Sequence, residues 1–144
     1  MKLLVVNGPN LNLLGIREPE IYGHRTYREL EAFLRECAEE LDVEIEIFQS
    51  NAEGALIDKI QEAFFQHIDG IVINAAGYTH TSVALLDALK AVALPAVEVH
   101  LSQVSEREPF RRISYIGMAC EQSYAGHGFE GYRMAMRYLA ERYR

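Results

Sequence analysis

Cysteine and lysine are scarce in this sequence, and each shortage argues against a class of chemistry. Cys37 and Cys120 are the two cysteines among the 144 residues, and their separation suits neither a disulfide framework nor a metal-binding motif. Of the three lysines, Lys2 precedes an apolar run while Lys59 and Lys90 fall inside helical patterns, so no imine chemistry through lysine is expected. The sequence also lacks a metal-binding histidine motif, an acidic cluster for magnesium and a phosphate-binding glycine loop. We therefore expect no metal and no cofactor.

Positive charge and long apolar runs are scarce as well. The 14 lysines and arginines are outnumbered by 21 acidic residues, and the net charge of -7 is spread along the chain. This pattern predicts no nucleic-acid partner and no binding to anionic lipid. The first apolar run has four residues, and none approaches the roughly 20 residues of a membrane span. We expect a cytoplasmic protein that does not contact membranes.

The overall composition, 49% hydrophobic and 24% charged, is typical of one globular domain covering residues 1–144. Short apolar runs bounded by turn residues predict five β-strands. The predicted strands cover residues 3–6, 43–48, 70–73, 96–99 and 113–116.

Between the strands, apolar residues recur with the 3.6-residue period of helices. One predicted stripe is Tyr27, Leu30, Leu34, Cys37 and Leu41, the next is Leu56, Ile60, Ala63, Phe64 and His67, and the last is Phe129, Tyr132, Met136, Leu139 and Tyr143. Thr26 and Glu29 have the spacing of a capping box, and Thr81 or Ser82 can cap a helix that runs to about Ala93.

Strict alternation of strand and helix predicts an α/β fold, a doubly wound parallel sheet with helices on both faces. The flavodoxin-like strand order 2-1-3-4-5 is the commonest for this number of elements. Ligands of such sheets bind beyond the carboxyl ends of the strands, so the loops after Val6, Ile73 and Val99 are the candidate site.

The loop after the first strand is long and places Tyr22 between Arg17 and Arg25. A nearby guanidinium favours the charged form of a tyrosine, which makes Tyr22 a plausible general base, and the loop amides can hydrogen-bond an oxygen that gains charge. A surface loop with ordinary arginines is the alternative.

The loop after the third strand leads directly into a helix and carries Asn74, His80, Thr81 and Ser82. These donors suit a carboxylate or hydroxyl groups at a helix amino terminus. Helix capping alone would account for Thr81 and Ser82, but it would not account for Asn74 and His80. Asp87, inside the helix, has the pattern of a solvated helical charge.

The end of the fourth strand carries Glu98 and His100, which the two-residue period of a strand places on one side. A carboxylate there can hold the tautomer of the imidazole and favour its protonated form, as a general acid requires. The alternative is a solvated pair without a role. Arg107, Arg111 and Arg112 follow and predict a local positive field that would attract an anionic substrate.

With these loops in view, the sequence resembles the type II 3-dehydroquinate dehydratases along essentially its whole length. The matching motifs are Asn7-Gly8-Pro9-Asn10-Leu11, Leu14-Gly15, Arg17-Glu18-Pro19, Tyr22-Gly23, Gln49-Ser50-Asn51, residues 74–82, Glu98-Val99-His100-Leu101-Ser102 and Ser114-Tyr115. The resemblance implies a flavodoxin-like subunit that dehydrates 3-dehydroquinate through an enolate without a Schiff base. It also implies a role in the shikimate pathway or quinate breakdown, and a homo-oligomer, a dodecamer built from four trimers.

The resemblance also implies catalytic roles for five residues. Tyr22 resembles the base and Arg17 the guanidinium that keeps it anionic, both on a mobile lid. Asn10 would help to stabilise the enolate, and His100, supported by Glu98, would be the proton donor.

Further positions match the family's substrate contacts. These positions are Asn74, His80, Leu101, Ser102 and Arg111, with the amides of Leu101 and Ser102 facing the substrate carboxylate. Asp87 resembles a residue that reaches the site of a neighbouring subunit.

The sequence departs from the family pattern chiefly after the predicted fifth strand. Ile113 stands where histidine is frequent, and residues 120–124, Cys-Glu-Gln-Ser-Tyr, replace a more apolar stretch that contains glycine. None of these positions coincides with a residue assigned to chemistry, so we expect them to affect the packing of the fifth strand and subunit contacts.

Two modules of the same fold are alternatives, since fold alone does not fix function. A flavin-binding module would have a hydroxyl-rich phosphate loop after the first strand, where this chain has asparagine, proline and leucine. A phosphoacceptor signalling module would have acidic residues where Asn7 and Asn74 stand.

Overall fold

A computed structural model describes residues 1–16 and 18–144, with every side chain among them except that of Tyr22. Arg17 and the side chain of Tyr22, both assigned roles above, lie outside the described part. The strands within it are β1 (Lys2–Asn7), β2 (Glu44–Gln49), β3 (Gly70–Asn74), β4 (Ala96–His100) and β5 (Gln122–Ala125). The α-helices are α1 (Pro19–Tyr22), α2 (Tyr27–Leu41), α3 (Glu53–Phe65), α4 (Val83–Val92) and α5 (Glu130–Tyr143).

The five strands form one parallel sheet in the order β2-β1-β3-β4-β5, which confirms the predicted flavodoxin-like topology. Its central strands β1, β3 and β4 are almost wholly buried, as expected for a sheet covered on both faces. In the part of the chain that the structure describes, no helix is long and apolar enough to cross a membrane.

Each face of the sheet contributes to a separate hydrophobic core. Residues of α2 and α5 pack with one face, where Leu34, Tyr132 and Met136 are fully buried. Residues of α3 and α4 pack with the other face, where Leu56, Ile60 and Leu85 are fully buried. Most residues of the predicted apolar stripes thus lie on these core-facing helix surfaces, whereas Phe64, His67 and Tyr143 at the ends of two stripes are exposed.

The ends of the helices follow the capping signals of the sequence. Thr26 Oγ1 accepts a hydrogen bond from the Glu29 amide at the start of α2, with an N to O distance of 3.1 Å. Ser82 Oγ caps α4 by accepting from the Leu85 amide at 2.9 Å. The predicted apolar stripe of α3 extends one turn beyond the buried residues. Phe64 is 52% exposed, and His67 lies beyond the end of the helix with a φ of 56°.

The predicted fifth strand is wrong. Ile113 is exposed, and Ile116 begins a 3-10 helix, Ile116–Ala119, that packs with α4, so the apolar side chain fills the core beside the sheet. The observed β5 is Gln122–Ala125, within the segment that departs from the family pattern. An edge strand with a solvated face needs no continuous apolar run, and this one carried no hydrophobic signal.

Candidate active site

A pocket of about 120 Å³ lies at the carboxyl ends of β1, β3 and β4, where the topology predicts a ligand site. Its described lining is Asn10, Leu11, Asn74, Ala76, Gly77, His80, His100, Leu101, Ser102, Val104, Arg107 and Arg111. Eight of the residues singled out from the sequence therefore meet in one cavity: Asn10, Asn74, His80, His100, Leu101, Ser102, Arg107 and Arg111.

The loops that follow β1 and β3 touch each other under this pocket. The Gly8 amide donates to the Asn74 carbonyl at 2.8 Å, and a Cβ at position 8 would lie 2.4 Å from the Ala75 carbonyl oxygen. Only glycine permits this approach of the two backbones. Gly8 thereby holds Asn10 and Asn74 in the same cavity.

A buried tyrosine links the same two loops from below. The hydroxyl of Tyr132 on α5 donates to Asn7 Oδ1 at 2.7 Å and accepts from Asn74 Nδ2 at 3.0 Å. Asn74 Oδ1 accepts from the Ala76 amide at 3.1 Å, so the orientation of the Asn74 amide is fixed. Burial raises the pKa of Tyr132, which keeps its hydroxyl protonated as a donor.

His100 and Glu98 lie together at the end of β4, on one face of the strand as predicted. His100 Nε2 is 2.9 Å from Glu98 Oε2, and both side chains are almost completely buried. Nε2 has no well-aligned hydrogen-bond partner among the described residues, so this contact is close but poorly aligned as a hydrogen bond. The imidazole reaches the pocket while the carboxylate lies behind it.

Three hydroxyl groups surround the Glu98 carboxylate. Oε2 accepts from Thr79 Oγ1 at 2.9 Å and from Ser114 Oγ, while Oε1 accepts from Ser123 Oγ at 2.8 Å. A Cβ on Gly117 would lie 2.9 Å from Oε1, so glycine there leaves room for the carboxylate.

These contacts keep Glu98 charged despite its burial. Desolvation by itself would raise the pKa of Glu98, but the contact with His100 and the hydrogen bonds from Ser114 and Ser123 outweigh it and lower the pKa to about 2. The site therefore holds a buried carboxylate that is ionised at neutral pH.

His80 is held by the segment that was wrongly predicted as a strand. Its Nδ1 lies 2.8 Å from the carbonyl oxygen of Ile113. Because a carbonyl only accepts, Nδ1 carries the proton of this hydrogen bond. Burial, followed by the positive charges of His100 and Arg111, lowers the pKa of His80. In the neutral ring Nε2 has a lone pair available to a ligand hydroxyl.

Two arginines supply positive charge at the mouth of the pocket. Arg111 Nε lies 2.7 Å from Glu108 Oε2, and Arg107 Nε lies 3.9 Å from the same oxygen. Leu101 and Ser102 continue from β4 into the pocket wall. A cavity with arginines at its mouth and an imidazole at its floor suits an anionic ligand that bears hydroxyl groups.

Asn10 stands on the opposite wall in a left-handed conformation, with a φ of 70°. The backbone N–H of Asn10 donates to Asn51 Oδ1 at 2.9 Å. Gln49 Nε2 donates to the Gly8 carbonyl oxygen at 3.1 Å. The end of β2 thus positions the start of the first loop.

Asp87 is a predicted site residue that lies outside this pocket. It is exposed on α4, one turn from the exposed Val83. Its predicted role at a neighbouring subunit stays a prediction.

Among residues 1–16 and 18–144, no group of three histidine, cysteine or acidic side chains is placed to hold a metal ion.

Sequence reasoning missed the residues that support the site. Thr79 and Ser114 belong to motifs that match the family, yet nothing in their spacing points to Glu98. Ser123 belongs to the departing segment, which was expected to affect only packing and subunit contacts. Tyr132 was predicted as a core residue of α5, without its hydroxyl contacts.

Comparisons with known proteins agree with this geometry. A family model for dehydroquinase class II matches residues 1–140. The 3-dehydroquinate dehydratase of Clostridium perfringens is 50% identical over 139 residues, which cover 96% of each chain. The 3-dehydroquinate dehydratase 1 of Bradyrhizobium diazoefficiens is 53% identical over 138 residues, covering 96% of this chain and 89% of that protein. A crystal structure of a type II dehydroquinase from Butyrivibrio crossotus superposes with a TM-score of 0.95 at 51% identity, over 96% of this chain and 97% of that one. The chain therefore belongs to the class II dehydroquinase family.

Proposed function

We propose that this chain dehydrates 3-dehydroquinate to 3-dehydroshikimate in the pocket at the carboxyl ends of β1, β3 and β4. It is a hydro-lyase of the type II 3-dehydroquinate dehydratase kind, because it belongs to that family along almost its whole length. One observation carries the choice of pocket: an imidazole backed by a buried, ionised carboxylate lies in a cavity with arginines at its mouth. A flavin-binding or signalling module of the same fold is not favoured.

The first step of the proposed reaction is removal of a proton from the carbon next to the ketone. Tyr22 is proposed as the base, with Arg17 favouring its anionic form. The electron pair left by the proton forms an enolate, whose oxygen takes the negative charge. Asn10, on the wall of the pocket, is proposed to hydrogen-bond this oxygen through an ordered water or directly.

The second step is loss of the hydroxyl group on the β-carbon. The enolate electrons form the new carbon–carbon double bond, and His100 protonates the departing oxygen so that it leaves as water. The close contact with the ionised Glu98 carboxylate places a negative charge beside the imidazole, as this step needs. The base and the acid of the proposed reaction are therefore two separate groups.

The remaining pocket residues are proposed to bind the substrate. His80 and Asn74 present polar groups to the ring hydroxyls, and the amides after β4, at Leu101 and Ser102, face the carboxylate. Arg111 is close enough to the cavity to add charge attraction for the same anion.

A role in the shikimate pathway follows from the family, and quinate breakdown is the other route open to this reaction. We propose that residues 1–144 act as one catalytic domain. Action in the cytoplasm stays a prediction, and fractionation of cells that express the protein would check it.

Assembly into a dodecamer of four trimers is also part of the proposal. Apolar side chains remain exposed near α4 and the pocket mouth, among them Val83, Phe110, Ile113 and Met118. Asp87 lies one helical turn from Val83, so a subunit packed there would bring a neighbour to the carboxylate. Sedimentation equilibrium would distinguish a dodecamer from a trimer or a monomer, and the last two outcomes would contradict the proposal.

The activity is tested by mixing purified, metal-free protein with 3-dehydroquinate and following the ultraviolet absorbance of the conjugated product. A parallel sample is first treated with borohydride in the presence of substrate, which would trap an imine on lysine. We expect an absorbance rise that survives borohydride. No rise would contradict the activity, and loss of the rise after borohydride would contradict a mechanism without Schiff base.

A further inference from the structure

Ser123 lies on the edge strand β5 and contacts the carboxylate of the catalytic pair. It is the cross-strand partner of Glu98 in the parallel pairing of β4 with β5, so the two side chains share one face of the sheet. Ser123 Oγ donates to Glu98 Oε1 at 2.8 Å. The serine itself does not line the pocket.

The two oxygens of Glu98 have different surroundings. Oε2 is close to His100 and accepts from Thr79 and Ser114, whereas Ser123 is the donor to Oε1 among the hydrogen bonds of the described residues. Without that donor, Oε1 would be a buried charged oxygen with its solvation lost and not replaced. Rotation about the Cγ–Cδ bond would then lower the free energy of the carboxylate. Such rotation would displace Oε2 from His100.

Packing does not account for a serine at this position. Ser123 is exposed on an edge strand, where a β-branched residue would serve the strand equally well. Its hydroxyl also lowers the pKa of Glu98, together with His100 and Ser114. The side chain therefore acts on the carboxylate and contributes little to the core.

We propose that Ser123 is a positioning residue for the proton donor: its hydroxyl fixes the Glu98 carboxylate so that Oε2 stays against His100. The proposal rests on the proposed function of His100 as general acid. It places a residue of the departing segment, expected from the sequence to lie away from the chemistry, in contact with the catalytic pair.

The test compares Ser123→Thr with Ser123→Val, which have the same shape and differ in one hydroxyl. We expect Ser123→Val to lower kcat about tenfold with KM unchanged, because a hydrogen bond to a charged group is lost away from the substrate. Ser123→Thr should keep kcat within about twofold of the unaltered enzyme, because the hydroxyl remains. Gln122→Ala, on the neighbouring exposed residue, should change neither constant.

A second readout does not depend on turnover. The imidazole N–H signals of the five histidines are recorded by proton NMR, and that of His100 is identified by its loss in His100→Ala. The His100 signal should move in Ser123→Val and keep its position in Ser123→Thr. If the unaltered protein has no dehydratase activity, the proposed function fails while this spectrum still tests the positioning role.

Three outcomes would overturn the proposal: an unchanged kcat in Ser123→Val, an equal loss in the threonine and valine variants, or an increase in KM alone. Ser123→Ala provides a smaller change in case the valine variant does not fold, and it should show the same loss of kcat. Thermal unfolding of each variant identifies those in which a general loss of structure explains the kinetics.

Discussion

The two sides of the pocket are built in different ways. The side of the proposed acid stands on β4, between two other strands, where Glu98 and His100 are almost completely buried and hydroxyl donors from three segments fix the Glu98 carboxylate. The side of the proposed base belongs to the loop after β1, where Ile16 is 75% exposed and α1 is a single turn of four residues. The proposed proton donor is thus positioned by the fold itself.

The difference indicates which parts of the proposed chemistry are in place before substrate binds. A group on a buried strand keeps its geometry in the empty enzyme, and the free energy of folding holds it there. A group on an exposed loop depends on contacts made with the substrate to reach its working position. We expect the two sides to respond differently to substitution.

The largest effects are expected from Tyr22→Phe and His100→Ala. Each should lower kcat by roughly 10²- to 10⁴-fold, because each removes one proton transfer. His100→Ala should also lower the unfolding temperature, since it leaves the charged Glu98 carboxylate buried without its contact with the imidazole. Tyr22→Phe should leave stability unchanged. Steady-state kinetics and thermal unfolding check both variants, and near-normal activity in either would refute that residue's role.

The next largest effect is expected for Arg17→Ala, with Arg25→Ala as the matched control in the same loop. Arg17→Ala should lower kcat almost as much as loss of the base, because Tyr22 would no longer be held anionic. The Arg25 guanidinium stacks 3.9 Å from the centroid of the Phe129 ring, so its loss should affect stability more than kcat. A change in KM alone for Arg17→Ala would contradict the assigned role.

A third prediction concerns the pH dependence of stability. The pKa of Glu98 is about 2 in the folded chain and near 4.5 when unfolded, so its charged form stabilises the fold fully above pH 4.5. That contribution, roughly 3 kcal/mol, is lost as the pH falls through about 2. Glu98→Gln should therefore flatten the acid dependence of the free energy of unfolding, measured in urea. Glu20→Gln, an exposed residue of the loop after β1, should leave this pH dependence unchanged. Equal pH dependence in the two variants would contradict the stabilising role of the charged Glu98.

The smallest effect is expected at the junction of the base-side loop with α2. Thr26→Ala should lower the free energy of unfolding by about 1 kcal/mol, because the Glu29 amide loses its capping acceptor. Thr26→Ser keeps the hydroxyl and should retain most of that stability. The same variants should keep kcat, since the cap supports the helix; a tenfold loss of kcat would show that the end of the loop takes part in catalysis.

The sequence predicted the buried part of the fold well, and it failed at one of the two edges. Strands β1, β3 and β4 have apolar runs because they are covered on both faces, and the edge strand β2 still carries the β-branched residues Ile45 and Ile47, which located it. The edge strand β5 has the letters Gln-Ser-Tyr-Ala, and the apolar run nearby belongs to a 3-10 helix that fills the core beside it. Local pattern cannot tell which of two neighbouring segments completes a sheet.

The site divides in the same manner. Glu98 and His100 were predictable because the two-residue period of a strand fixes their relation. The donors to Glu98 come from positions 79, 114 and 123, and no sequence rule joins residues so far apart. Resemblance to a family supplied the roles of Tyr22 and Arg17, which the described structure leaves as predictions.

The hydroxyl of Tyr132 has a consequence for how the protein is made. It bridges Asn7, 125 residues earlier in the chain, and Asn74, 58 residues earlier. On the ribosome, the chain already contains His100 and both loops of the pocket before α5 has been synthesised. The support beneath Asn74 is completed only when α5 has been synthesised and has docked, so the two loops of the pocket cannot reach their final arrangement before Tyr132 is in place.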